Sequence, residues 1–264
     1  AIPEVAEAKT ADDAMKLLKK LEEKAIVQEL RKRQGQQMEA VQAHGAARGV
    51  DAGVAAALRK AQDNYIIKDV FKGMEGLRSN GHINIIECDP PYGIDLNEQK
   101  ASKDSVGSTV DGYKEVNSSV YEGFLSKLAH ELYRVAGKDC WLVFWFGQSW
   151  TREVYNALTE AGWKVDEIPA IWAKPNGQTL QPELYYARCY EPFYLCRKGK
   201  PVMAERGRSN VFTFAGDRNK HHPTQRPVDL IDAILETLSA GMDSVFVPFL
   251  GSGNTLRACY NRGL

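Results

Sequence analysis

The chain has 264 residues, 44% hydrophobic and 26% charged, a balance that excludes wholesale disorder and supports a sizeable core. No apolar run is long enough to span a bilayer. The 34 Lys and Arg cancel the 34 Asp and Glu, which argues against a general polyanion-coating protein but allows a local basic face.

Residues 1–64 contain no Phe, Trp, Tyr or Cys. Apolar positions at Leu17, Leu18, Leu21, Ala25 and Leu30 suit one stripe of an amphipathic helix. An Ala-rich stretch follows, so this segment is expected to form a helical arm packed on the protein itself or on a second subunit. From residue 65 onward, β-rich and helical patterns alternate. Ile83 to Cys88 reads as a buried strand and 121–135 as a helix stopped by Gly137. Trp141 to Phe146 reads as a second buried strand, and 151–161 as a helix stopped by Gly162. Strands are expected at 164–172 and 191–196. Pro227 suits the first turn of a helix running to about Ser239, and Val245 to Val247 forms a last strand before a closing helix. Such alternation predicts an α/β fold with a mostly parallel sheet covered on both faces.

The five cysteines, Cys88, Cys140, Cys189, Cys196 and Cys259, form no C-x-x-C pair. That disfavours disulfide frameworks and zinc ribbons and fits a reducing cytoplasm. No basic segment followed by an apolar stretch opens the chain, so no signal peptide is read there. The missing initiator Met and the stop at Leu264 read as a fragment, or as a chain trimmed to its ordered part.

Two motifs carry chemistry. Asp89-Pro90-Pro91-Tyr92 follows a buried strand, at the sheet edge where ligands bind. The prolines stiffen the backbone and hold together a carboxylate, a carbonyl and an aromatic ring. If Asp89 and the Pro90 carbonyl each accept a hydrogen from a ring-bound amine, its nitrogen is pulled toward tetrahedral geometry and its lone pair points at an electrophile. Tyr92 can stack on the ring. A rigid turn with a capping Asp is the plain alternative, which the strand before it and the aromatic after it disfavour. The second motif, Pro248-Phe249-Leu250-Gly251-Ser252-Gly253-Asn254-Thr255, also lies between a strand and a helix. Its glycines let a ligand approach the backbone, and the helix start offers unpaired N–H groups. It is neither G-x-G-x-x-G nor a Walker loop, so a dinucleotide or ATP site is disfavoured.

Together the motifs resemble the S-adenosylmethionine-dependent amino-methyltransferases of DNA. The catalytic motif precedes the cofactor motif, as in the permuted β group of N6-adenine and N4-cytosine enzymes. The resemblance covers about residues 65–264 and implies a Rossmann-like methyltransferase fold with a terminal antiparallel hairpin. Ile66-Ile67-Lys68-Asp69 resembles the family's opening short strand, with Asp69 near the cofactor adenine. Ile171 to Lys174 and Tyr190 to Phe193 resemble the segments leading into the hairpin. His222-Pro223-Thr224-Gln225-Arg226-Pro227 resembles the H-P-T-Q-K-P signature, with Arg226 for Lys, still able to meet the cofactor carboxylate. The resemblance thus assigns catalysis to Asp89, Pro90, Pro91 and Tyr92. It assigns the cofactor to Asp69, Asp89, Thr224, Gln225, Arg226, Pro248, Phe249, Gly251, Gly253, Asn254 and Thr255.

Two departures stand out. Val247 replaces the family's usual Asp, removing a polar anchor beside the cofactor. The acid expected on the next strand, for the ribose hydroxyls, falls beyond Leu264.

The resemblance implies double-stranded DNA as partner and N6 of a flipped-out adenine as target, since Asp in the first position goes mostly with adenine. An N4-cytosine enzyme and a catalytically silent DNA-binding subunit are the alternatives. Between Arg197 and Arg226, eight basic residues face two acidic ones. Lys198, Lys200, Arg206, Arg208, Arg218 and Lys220 are therefore the candidate DNA contacts. The polar segment 95–119 is expected to order over the substrate. His221-His222 without further ligands does not make a metal site, and Cys88 reads as core.

Overall fold

The computed structural model describes residues 10, 63–93, 116–179, 181–216, 225–239, 241 and 243–264. The expected helical arm, the loop 95–119 up to residue 115, and the candidates Arg218, Lys220 and Thr224 with His221 and His222 lie outside the described residues. The chain divides into two compact units, Ala1–Ile67 and Lys68–Leu264. The second carries both motifs.

In chain order its elements are α1 (Val70–Glu75), β1 (Ile83–Cys88), α2 (Tyr121–Val135), β2 (Ala136–Trp145), α3 (Thr151–Glu160), β3 (Lys164–Val165), β4 (Ala170–Gln178), β5 (Arg188–Lys198), β6 (Val211–Thr213), α4 (Val228–Leu238), β7 (Val245–Phe246) and α5 (Asn254–Arg262). The strands form one sheet in the order β6-β4-β5-β2-β1-β7, with β3 pairing β5. β7, β1 and β2 are parallel neighbours, and so are β4 and β6. β5 alone runs against β2, β3 and β4. This is the mostly parallel, Rossmann-like sheet expected, with its antiparallel hairpin formed by β4 and β5 and flanked by the short β6.

The strict period of the pleat sorts the core into two layers. Ile86 and Cys88 of β1, with Leu142, Phe144 and Phe146, face α2 and α3, whose Leu125, Leu128, Leu132, Val154 and Leu158 are fully buried. Ile85, Val143 and Trp145 face the other way, against Leu230, Ile231, Ile234 and Leu235 of α4 and Ala258 of α5. The buried positions of α2 recur every three or four residues, the spacing that gives a helix one apolar stripe.

Three local expectations change. Gly137 does not stop α2; the helix ends at Val135 and Gly137 already lies in β2. A Cβ there would sit 2.7 Å from the Ile83 carbonyl oxygen, so glycine is needed where β2 starts against β1. The strand expected at 164–172 is two strands, interrupted around Pro169. The short strand expected before Asp69 is absent; Asp69 instead caps α1, accepting from the Phe71 and Lys72 amides at 3.1 Å each.

Candidate active site

β1 and β7 are adjacent and parallel, with Ile85 beside Val245 and Ile86 beside Phe246. The turns that follow them, Asp89–Tyr92 and Pro248–Gly253, therefore emerge side by side at the same sheet edge. One cleft is lined by Glu87, Asp89, Gln225, Arg226, Phe249, Gly251, Ser252, Asn254 and Thr255 among others. Gly251 (φ +54°) and Gly253 (φ +84°) occupy left-handed conformations, Gly253 as the N-cap of α5, which only glycine adopts at low cost. A larger cavity of about 430 Å³, lined by Val228, Asp229, Asp232 and Arg262 among others, contains no motif residue.

The Asp-Pro-Pro-Tyr corner closes on itself and on Arg226. The Tyr92 hydroxyl donates to Asp89 Oδ1 at 3.0 Å, and Arg226 Nη1 donates to Asp89 Oδ2. Arg226 Nη2 donates to the Tyr92 hydroxyl at 2.6 Å and to Glu191 Oε2 at 3.0 Å. The guanidinium lies 4.0 Å from the centre of the Trp145 ring, and Asn254 Nδ2 fixes the Arg226 backbone by donating to its carbonyl at 2.7 Å. Lys174 Nζ donates to the other Glu191 oxygen. Burial works against the Arg226 charge, but Asp89, Tyr92 and Glu191 outweigh it and hold its pKa well above the ordinary value. Burial pushes the Tyr92 phenol up, helped by Asp89 and Glu191 against the pull of Arg226. The Arg226 guanidinium, expected to meet a cofactor carboxylate, is engaged by Asp89, Tyr92 and Glu191.

Two acids escaped the sequence reading. Glu191, on β5, is carried to the edge of the Asp89–Tyr92 turn because that strand runs antiparallel to its neighbours. Glu87 sits two residues before Asp89 on β1 and is only 3% exposed. It accepts from Trp145 Nε1 at 2.9 Å and from Thr255 Oγ1 at 3.1 Å. Burial and, next, the Asp89 charge push its carboxyl up to about 7. A signal was present: a carboxylate in an otherwise apolar strand is too costly to bury without a task or a partner.

Among the described residues of the basic segment, Lys198, Lys200, Arg206 and Arg208 stand away from this edge. β5 ends at the opposite side of the sheet, where Lys198 is 9% exposed. Its Nζ donates to Asn80 Oδ1 and the Tyr133 carbonyl, each at 2.7 Å, and to the Ala136 carbonyl at 3.0 Å. Lys198 is therefore a structural cation, unavailable to a phosphate. Lys200 follows there, its backbone amide held by Asp139 at 2.7 Å. Arg208 pairs with Glu205 and Glu236, near the far end of α4 from Arg226. Arg206 is exposed in the same stretch. At the edge of the Asp89–Tyr92 turn stands the tip of the β4–β5 hairpin, with Tyr185 59% and Tyr186 97% exposed. Cys88 is buried, as expected. Among the described residues no group of three or more His, Cys, Asp and Glu is arranged to hold a metal ion, and no helix is long and apolar enough to cross a membrane.

This fold, with an acidic-proline turn and a glycine turn opening together at one sheet edge, is the Rossmann-like arrangement of a methyltransferase. The profile of the DNA methylase family N6_N4_Mtase matches residues 83–263, and the chain belongs to that family. A curated relative, the putative methylase YubD of Escherichia coli K12, is 27% identical over 210 residues, 75% of this chain and 80% of the relative. The crystal structure of the M1.HpyAVI–SAM complex superposes with a TM-score of 0.53 at 19% identity, covering 74% of this chain and 87% of that one. The PvuII cytosine-N4-specific DNA methyltransferase gives 0.56 at 13% identity, covering 74% and 77%. At these identities the superpositions speak for the fold.

Proposed function

We propose that this chain transfers the methyl group of S-adenosylmethionine to the exocyclic N6 of an adenine rotated out of duplex DNA. The observation that carries this reading is the side-by-side emergence of the Asp89–Tyr92 and Pro248–Gly253 turns from neighbouring parallel strands. The described residues suit the cofactor's polar ends: amides at the start of α5 for a carboxylate, acids beside them for a cation, and Phe249 as an apolar wall. Its permuted-group assignment rests on motif order alone.

The cofactor supplies an electrophilic methyl on a sulfonium. The protein's own task is to make a delocalised amine nucleophilic. Asp89 accepts one amino hydrogen, which draws electron density onto the nitrogen, while the stiff prolines hold that acceptor still. Asp89 is at present paired with Arg226 and Tyr92, so base entry replaces an Arg226 N–H by the amino group. Glu191 remains as the counter-charge that keeps Arg226 in place. Rotating the base out of the stack costs a few kcal/mol, and the exposed Tyr185 and Tyr186 offer rings for nucleic-acid stacking at that edge.

The test is incubation with methyl-labelled S-adenosylmethionine and duplex DNA, followed by digestion to nucleosides. Labelled N6-methyladenine is expected, with Asp89→Ala lowering turnover roughly 10²–10³-fold, the scale of losing one pre-organised hydrogen bond to the reacting group. Label in N4-methylcytosine would reassign the base, and undiminished turnover by Asp89→Ala would overturn the role of the acid.

A further inference from the structure

We propose that Glu87 is the acidic anchor of the cofactor cleft, supplied from β1 in place of the acid that β7 lacks at Val247, and that it takes the ammonium of the cofactor's amino-acid end. This rests on the proposed function, in which the cleft holds S-adenosylmethionine.

Strand register places Glu87 there. Ile85 pairs with Val245 and Ile86 with Phe246, the last residue of β7; continued one step past the strand, that register sets Glu87 beside Val247. Neighbours at one register position of a parallel sheet project to the same face. A carboxylate on β1 therefore reaches the space that one on Val247's strand would occupy. The face is fixed independently: Glu87 follows Ile85, which packs against α4 and α5, and it accepts from Thr255 in the first turn of α5. It lines the cleft together with Gly251, Ser252 and Asn254. The carboxylate of an amino-acid end bound by the α5 amides would thus bring its ammonium toward Glu87.

Among the described residues no cation is hydrogen-bonded to Glu87, although the nearby Arg226 charge pulls its carboxyl down. Both of its donors, Trp145 and Thr255, are neutral, and each uses one oxygen of a group with about four acceptor positions. Arg226 directs its Nη groups to Asp89, Tyr92 and Glu191. Burial and the Asp89 charge raise its carboxyl to about 7 against the pull of Arg226, and a ligand ammonium would offset that cost. A core polar group serving only packing would not need to line the cleft.

The test compares two ligands by calorimetry on the whole chain: S-adenosylhomocysteine, which has the amino-acid end, and 5′-methylthioadenosine, which lacks it. Glu87→Gln is expected to weaken S-adenosylhomocysteine roughly 10–100-fold, the range of a charge-assisted hydrogen bond, and to leave 5′-methylthioadenosine unchanged. Adding Val247→Asp to Glu87→Gln is expected to recover the lost affinity, which a merely structural role would not allow. Equal weakening of both ligands, or none, overturns the proposal. Wild-type protein that binds neither ligand would instead overturn the cofactor reading beneath it.

Discussion

Arg226 is the residue on which the site's electrostatics turn. It is 7% exposed at its side chain, while its partners Asp89 and Glu191 are 23% and 28% exposed. Removing one member of a fully buried pair costs roughly 3–5 kcal/mol; the carboxylates here keep some water, so Arg226→Ala is expected to cost about 2–3 kcal/mol. Arg226→Lys should cost less, because one ammonium satisfies Asp89 but cannot fork to Tyr92 and Glu191 as well. Urea unfolding of the two variants checks this, and an unchanged midpoint in Arg226→Ala would refute it. Glu87 predicts a pH dependence. Its carboxyl is raised from 4.5 to about 7 in the folded protein, so folding takes up a proton between those values. The associated stability is fully present below pH 4.5 and is lost as pH rises through 7, by roughly 3 kcal/mol. The wild-type stability curve should therefore fall over that window more steeply than that of Glu87→Gln. Parallel curves would show that the carboxyl titrates normally.

At the scale of elements, the antiparallel β5 decides which charges matter. One end brings Glu191 to the Asp89–Tyr92 corner and the other carries Lys198 away from it. Lys198 bonds three acceptors from β2, α2 and the turn before β1, and burial lowers its pKa. Lys198→Met should lose about 1.5–3 kcal/mol of stability, the range for hydrogen bonds to charged groups, with DNA affinity unchanged. Tyr186→Ala, at the hairpin tip on the edge of the Asp89–Tyr92 turn, should show the reverse: unchanged stability and DNA affinity lower by about 1–3 kcal/mol, the worth of one base stacked on an aromatic ring. Unfolding curves and fluorescence-anisotropy titrations separate the two. Loss of DNA affinity in a folded Lys198→Met would instead make Lys198 a DNA contact.

For the molecule as a whole, a cleft shared by β1, β7, α4 and α5 means that ligand binding joins elements far apart in the chain. At a cofactor concentration 100-fold above Kd, binding only the folded state adds about 2.7 kcal/mol, or roughly 5–10 °C in Tm for a unit of this size. A thermal scan with and without S-adenosylmethionine measures it, and no shift at saturating concentration would contradict the assigned cleft.

Much of this architecture was legible in the chain. Apolar runs gave β1 and β2, helical periodicity gave α2, α3 and α4, and turn chemistry placed Asp89–Tyr92 and Gly251–Gly253 at strand ends, because each of these signals is written among neighbouring residues. What only the tertiary structure decided was which distant groups meet. Glu87 and Thr255 are 168 positions apart, Arg226 and Asp89 137, and Lys198 and Ala136 62. A charge in the sequence does not say at which edge of the sheet it will stand. Strand direction and the two-residue pleat settle that, turning Lys198 into a strut, Glu87 into a cleft wall and Arg226 into the partner of Asp89.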